Sequence, residues 1–146
     1  MNRKARKNIL ISLLLIIVVA ASFGYYMFSK GPRDVKHSTA IEINATALYD
    51  EFSKDSTTAL KKYADKILLV NGEITSISLN QKKEQIILLK TGVDEASINC
   101  TLEEEAGNIK VNDKINIKGI CSGIGQGDAD LGIQADVYLT RCFLIK

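Results

Sequence analysis

Three cysteines are the residues of this 146-residue chain whose chemistry is most versatile. Cys100, Cys121 and Cys142 are equally spaced, and a thiol can act as a nucleophile, a metal ligand or half of a disulfide. A nucleophilic thiol needs a base, and the single histidine, His37, lies far from all three in the sequence. A zinc site is disfavoured because the chain has no Cys-x-x-Cys pair. The sequence therefore predicts no enzyme, no metal site and no cofactor.

A glycine-rich stretch, GICSGIGQGDADLG, is the second feature that could carry chemistry. A phosphate-binding loop combines glycines with a lysine followed by serine or threonine, but no basic residue lies between Lys118 and Arg141. Asp128 and Asp130 could bind calcium, but two carboxylates do not complete the roughly 6–8 oxygen ligands that calcium takes. We expect a loop between two strands.

The N-terminus has the pattern of a membrane anchor. Residues 9–28 contain no charge and match the ~20 residues that a helix needs to span a membrane. Residues 1–8 are basic, which predicts a cytoplasmic N-terminus and places the chain beyond Lys30 outside the cytoplasm. The predicted organisation is a cytoplasmic segment (1–8), a signal-anchor helix (9–28), a linker with Pro32 (29–43) and one domain (44–146). The localisation is then the inner membrane, with a periplasmic domain.

Cleavage of the apolar segment as a signal peptide is the alternative. Small residues such as Ala20, Ala21 and Gly24 suit a cleavage site, and cleavage would make the domain a secreted protein. The apolar run nevertheless continues into Tyr25 and Phe28, and aromatic residues are typical of a retained helix at the outer membrane interface.

The net charge of the domain indicates which class of partner it favours. The whole chain has a net charge of +2, but from Asn44 onward 15 acidic residues oppose 12 basic ones, a net charge of −3. Nucleic-acid-binding surfaces are expected to be basic. Nucleic acid is therefore the disfavoured partner, and an envelope protein, peptide or glycan is the favoured one.

Periodicity predicts short helices followed by five strands. Asn44 or Thr46 can cap a helix, and polar residues 53–58 indicate two short helices or one that is broken. Alternating apolar residues then predict strands, the first with a bulge near Thr75 and Ser76. The fold class is mostly β (α+β): a five-stranded OB-fold barrel preceded by short helices, with an N-terminal transmembrane helix.

Within that layout the chain resembles a known family. The stretches KKYADKILLVNGEITSI, INCTL and VNDKINIKGICSG, with a final strand that carries a cysteine, resemble the tRNA_anti-like family of bacterial OB-fold proteins. The resemblance runs from about Ala47 to Lys146. It implies the OB fold, and it raises single-stranded nucleic acid as an alternative ligand, because the family is named after anticodon-binding domains. It implies no catalytic residue.

The predicted ligand site centres on the last strand. Tyr138 is the aromatic residue expected on a strand, where a ring can stack on a ligand. Lys118 and Arg141 bracket the glycine-rich loop and complete the predicted set. We expect a binding or interaction module, and a structural envelope component without a small ligand is the third alternative.

The fold also bears on the cysteines. The strands that carry them are neighbours in an OB barrel, so one disulfide could form in an oxidising compartment and leave one thiol over. Cys121 and Cys142 are the expected pair, and buried free thiols are the alternative.

Overall fold

The computed structural model describes residues 3–29, 31, 34–128 and 130–145, with side chains for fewer residues near the N-terminus. The chain divides into two compact units, residues Met1–Arg33 and Asp34–Lys146. In the first unit, helix α1 spans Arg3–Ser29. Its stretch Ile11–Ser29 has a mean hydropathy of 2.2 and is long and apolar enough to cross a membrane. The side chains of the basic N-terminal segment, and Lys30 and Pro32 of the predicted linker, lie outside the described residues.

The second unit begins with a short strand and two helices. Strand β1 is Ile41–Asn44, helix α2 is Ala45–Lys54 and helix α3 is Ser56–Tyr63. Asn44 caps α2 by accepting a hydrogen bond from the N–H group of Thr46. Asp55 ends α2 and caps α3, because its carboxylate accepts from the N–H and the hydroxyl of Thr58. The expected break in the helical region therefore lies at a capping aspartate.

Five longer strands follow: β2 (Ile67–Leu79), β3 (Gln85–Lys90), β4 (Ser97–Leu102), β5 (Lys114–Ile124) and β6 (Val137–Ile145). Their order is β2-β3-β4-β6-β5, and β5 pairs again with β2. The sheet thus closes into a barrel, with β4 and β6 parallel and the other barrel pairs antiparallel. This is the OB topology that the sequence predicts. The predicted bulge in β2 is also confirmed, between Ile74 and Ser76.

The core fills the barrel and continues under the helices. Inward side chains of all five barrel strands are fully buried, among them Leu68, Val70, Ile87, Leu89, Ile98, Ile117 and Leu139. Helix α2 buries Leu48 and Phe52, and helix α3 buries Ala59 and Tyr63; each pair is four residues apart on one face of its helix. Leu60, on α3, is 38% exposed.

Strand β1 was not predicted, because residues 41–43 lie in the stretch expected to be the linker. It pairs in parallel with the start of β2, from Ile41 opposite Leu68 to Asn44 opposite Asn71. Val35 is also buried, although it lies in the segment assigned to the linker. Residues expected in the linker therefore pack with the domain that carries the barrel.

Candidate functional site

A sheet face formed by β3, β4 and β6 carries the candidate site, here called the polar face. Alternation along β4 buries Ile98 and Cys100 and turns Ser97, Asn99 and Thr101 outward, where all three are half-buried. The outward residues of β6 beside them are Tyr138 and Thr140. The face is therefore lined by hydroxyl and amide groups, with half-buried Ile86 and Leu88 of β3 alongside.

Tyr138 is the aromatic group of the polar face. It lies opposite Asn99 on β4 and opposite Gly123 on β5, and 41% of it is exposed. A Cβ atom added to Gly125 would lie 2.8 Å from the ring atom Cε2 of Tyr138. The absence of a side chain at Gly125 therefore lets the ring lie close to the loop backbone, with the rest of the ring open to a ligand.

Lys118 is engaged elsewhere. Its ammonium group donates to the backbone carbonyls of Lys36, at 3.1 Å, and Ser38, at 2.7 Å. The Lys36 ammonium in turn pairs with Glu104 at 3.1 Å. Lys118 thus fastens the segment before β1 to the barrel, and its charge is taken up by backbone carbonyls.

Arg141 is also paired. Its guanidinium donates to both carboxylate oxygens of Glu103, at 3.0 and 3.4 Å. Arg141 has a φ of 52°, and the register between β5 and β6 shifts around it. Of the three predicted ligand-binding residues, Tyr138 is thus the one that leaves its functional group open, and the structure does not bring the three together as a basic and aromatic cluster.

Aspartate side chains of the glycine-rich loop between β5 and β6 accept hydrogen bonds from backbone N–H groups. The Asp128 carboxylate accepts from the N–H groups of Asp130 and Leu131, and the Asp136 carboxylate accepts from the N–H of Ser97 at 2.8 Å. Within the described residues no group of three or more histidine, cysteine or acidic residues could hold a metal ion. These aspartates therefore shape the loop beside the polar face.

Comparison with known proteins identifies the family to which this barrel belongs. The sequence profile of the tRNA_anti-like family matches residues 1–131. The chain belongs to this family. The match includes the N-terminal helix and ends before β6, whereas the resemblance in the sequence starts at about Ala47 and runs to Lys146. Membership of the tRNA_anti-like family and the OB barrel together identify a binding module.

Similar solved structures come from larger proteins. A chain assigned as an aspartyl-tRNA synthetase from Leishmania major Friedlin has a TM-score of 0.44 and 12% identity, over 79% of this chain and 22% of that one. Aspartyl tRNA synthetase from Entamoeba histolytica has a TM-score of 0.39 and 9% identity, over 63% of this chain and 21% of that one. This tRNA_anti-like chain thus spans about a fifth of either structure. No curated protein matches it.

The cysteines of the tRNA_anti-like barrel belong to its core. All three are buried free thiols, so the expected bridge between Cys121 and Cys142 is absent from the structure. The neighbour of the Cys142 thiol is Cys100, since these two side chains interact by hydrogen bonding. The bulge at Arg141 turns Cys142 inward, the same direction as Leu139 three residues earlier.

Alkaline pH should destabilise this core. Hydrogen bonding with Cys142, followed by burial, raises the pKa of the Cys100 thiol well above its ordinary value of 9.0, and burial also raises the pKa of Cys121. The folded state therefore retains protons that the unfolded state loses above pH 9.0. This contribution to stability is complete below pH 9.0 and is lost as the pH rises toward the folded pKa values. We expect the free energy of unfolding to fall as the pH rises above 9.0, by at most about 1.4 kcal/mol per pH unit for each shifted thiol.

Urea denaturation at a series of pH values measures this slope. Cys100→Ala removes one of the shifted thiols and should flatten the dependence, while Cys121 keeps part of it. An equally steep slope in Cys100→Ala would contradict the assignment to Cys100.

The polar residues of β4 were missed as site residues in the sequence. Their signal was the alternation of SINCT, in which Ser97, Asn99 and Thr101 occupy every second position. That alternation identifies one solvent-facing row, but whether the row adjoins Tyr138 depends on the pairing of β4 with β6, which brings together residues about forty positions apart.

Proposed function

We propose that this protein is a membrane-anchored, extracytoplasmic OB-fold module that binds an envelope glycan on the polar face. The observation that carries the proposal is the exposed Tyr138 ring beside a row of uncharged hydroxyl and amide side chains. Aromatic rings offer sugars an apolar surface, and hydroxyl and amide groups form hydrogen bonds with sugar hydroxyls. OB-folds are known to bind oligosaccharides as well as oligonucleotides.

Charge favours a glycan over a nucleic acid. A nucleic acid needs cations that follow its phosphates, but the Arg141 and Lys118 cations are already bound by Glu103 and by backbone carbonyls. The net charge of −3 from Asn44 onward acts in the same direction. The tRNA_anti-like name supports the competing hypothesis, that the ligand is a single-stranded nucleic acid. The binding experiment below therefore includes a nucleic-acid probe.

Binding of neutral oligosaccharides tests the ligand class. Chitohexaose and cellohexaose are titrated into the detergent-solubilised full chain, with a single-stranded oligouridylate as the competing probe. We expect an oligosaccharide to bind and Tyr138→Ala to weaken it about tenfold, equivalent to about 1.4 kcal/mol. Gly125→Ala keeps the ring but displaces it, so it should weaken binding by a smaller factor.

Leu79→Ala is the control, because Leu79 is exposed at the end of β2, on another strand from Tyr138. Binding of the oligouridylate alone, with an affinity that falls steeply as salt is added, would replace the glycan by a nucleic acid. Binding of neither class would leave a structural role and overturn the proposal.

The proposed location rests on the apolar stretch Ile11–Ser29 of helix α1 and on the basic residues that precede this stretch in the sequence. Nineteen helical residues at ~1.5 Å each match the ~30 Å hydrocarbon layer. Proteinase K added to intact spheroplasts should digest the domain and leave a membrane-bound fragment. Protection until lysis would place the domain in the cytoplasm. Release of an intact domain into the medium without protease would show that the segment is a cleaved signal peptide.

A further inference from the structure

A cavity lies where the pairing of β2 passes from β1 to β3, and residues at the start of β5 also line it. Strand β1 pairs with β2 as far as Asn71, and β3 pairs with it from Ile74 onward. Gly72 and Glu73 lie between these two pairings. The chain turns away from this point in both partners, since α2 begins at Ala45 and β3 ends at Lys90. We call the resulting space the fork cavity.

The fork cavity has the size of a small-molecule site. Its volume is about 470 Å³, and Asn44, Asn71, Glu73, Lys90, Lys114 and Asn116 are among the residues that line it. Ligand pockets commonly measure about 300–1,000 Å³. The absence of a side chain at Gly72 lets α2 and β3 pack closely beside the cavity, because a Cβ there would lie 3.0 Å from Cβ of Ala45 and 3.3 Å from Cβ of Leu89.

Charged groups of both signs line the cavity without pairing to each other. Glu73 and Lys114 are directly opposite on β2 and β5, yet they form no ion pair within 4.0 Å. Lys90 likewise has no hydrogen bond or ion pair to another described residue. Among the described lysines, Lys36, Lys62 and Lys118 do use their ammonium groups in ion pairs or hydrogen bonds, as Lys62 does with Glu51 at 2.9 Å. The fork cavity therefore holds charge that is available to a ligand.

The amides set the balance of donors and acceptors. The Asn44 side chain donates to the Asn71 carbonyl oxygen at 2.9 Å and accepts from the N–H of Thr46, so its carbonyl oxygen is used in capping. The Asn71 side chain accepts through its oxygen and keeps its two amide N–H donors, and Asn116 adds a second amide. Two ammonium groups and these amides make the cavity rich in donors, and Glu73 supplies an acceptor.

We propose that the fork cavity binds a small carboxylate that carries a hydroxyl or ammonium group on one of the two carbons nearest to it. The carboxylate would accept from Lys90, Lys114 and the amides, while Glu73 would accept from the neighbouring hydroxyl or ammonium group. Sugar acids and amino acids share this chemistry. A phosphate dianion fits less well, because the Glu73 carboxylate repels a second strong negative charge. The lining residues of the fork cavity differ from the residues named for the polar face, although Lys90 lies opposite Ser97 of that face.

Paired probes separate the two sources of the carboxylate. Glucuronate is compared with glucose, which lacks the carboxylate, and alanine with propionate, which lacks the ammonium group. Each is titrated into the full chain in detergent micelles by isothermal calorimetry, with inorganic phosphate as a further probe. We expect glucuronate or alanine to bind at least about tenfold more tightly than its matched partner.

Variants assign the roles within the cavity. Lys114→Gln and Lys90→Gln should each weaken binding about tenfold, and Glu73→Gln should weaken alanine more than glucuronate, because it removes a charge that faces the ammonium group. Lys61→Gln, an exposed lysine of α3, is the matched control and should bind like the natural chain.

Three outcomes overturn the proposal. The first is equal affinity for glucuronate and glucose together with equal affinity for alanine and propionate. The second is binding that Lys114→Gln and Lys90→Gln leave unchanged, and the third is phosphate binding that is tighter than that of either acid and strengthens in Glu73→Gln. The near-ultraviolet circular dichroism of each variant verifies its fold, and all three substituted side chains lie at the surface or half-buried.

Discussion

Phe52→Ala should lower the free energy of unfolding of the domain by about 3–5 kcal/mol. Phe52 is fully buried on α2, and its ring centroid lies 6.2 Å from that of Tyr63 on α3. The pair joins the two helices to each other and to the barrel core. Truncation removes the apolar surface of the ring and leaves a cavity that the surrounding strands cannot fill.

Urea denaturation of the detergent-solubilised chain, followed by near-ultraviolet circular dichroism, measures this loss. Leu79→Ala is the matched control, because Leu79 is 68% exposed and its truncation should change stability by no more than about 0.5 kcal/mol. A loss below about 1 kcal/mol in Phe52→Ala would mean that the helices are not part of the cooperative core.

The elements with strong local signals were predicted correctly. Short apolar segments identify all five barrel strands, most of them by alternation and β3 by a run with apolar residues on both faces. The change of parity after Ile74 identifies the bulge in β2. The break between α2 and α3 is visible because Asp55 and the polar residues around it favour a cap over a helix interior.

The features that were missed depend on contacts between distant segments. Strand β1 has four residues, and it forms because the edge of β2 is free there, which no local pattern reveals. The orientation of Cys142 depends on the positive φ of Arg141, and a non-glycine residue gives no sequence signal for that conformation.

Whether a charged side chain is available to a ligand also depends on contacts between distant segments. Lys118 and Arg141 are basic residues on neighbouring strands, which made them reasonable ligand-binding candidates. Their partners lie 80 and 38 residues away, at Ser38 and Glu103. Glu73 and Lys114 show the converse, since their partner strands place them side by side and leave both available. Sequence identifies charged side chains, whereas the tertiary structure determines which of them a ligand can reach.

Gly119→Ala should destabilise the domain by about 1–3 kcal/mol through overpacking. A Cβ at this position on β5 would overlap the sulfur of Cys142 and would lie 3.3 Å from the carbonyl oxygen of Thr140. The Cys142 side chain is fully buried and already contacts Cys100, so it can move only by giving up that contact. Glycine at 119 is therefore what allows β5 and β6 to pair so closely around a buried thiol.

A double-mutant cycle isolates this cause. Cys142→Ala removes the sulfur and should make Gly119→Ala much less costly, so that the double variant is more stable than the sum of the two single losses predicts. The coupling should reach at least about 1 kcal/mol, within the range for residues in contact. Additive losses would show that the cost of Gly119→Ala comes from the backbone near Thr140. The cycle thus distinguishes a side-chain overlap, which another substitution relieves, from a constraint in the barrel backbone, which none of these variants would relieve.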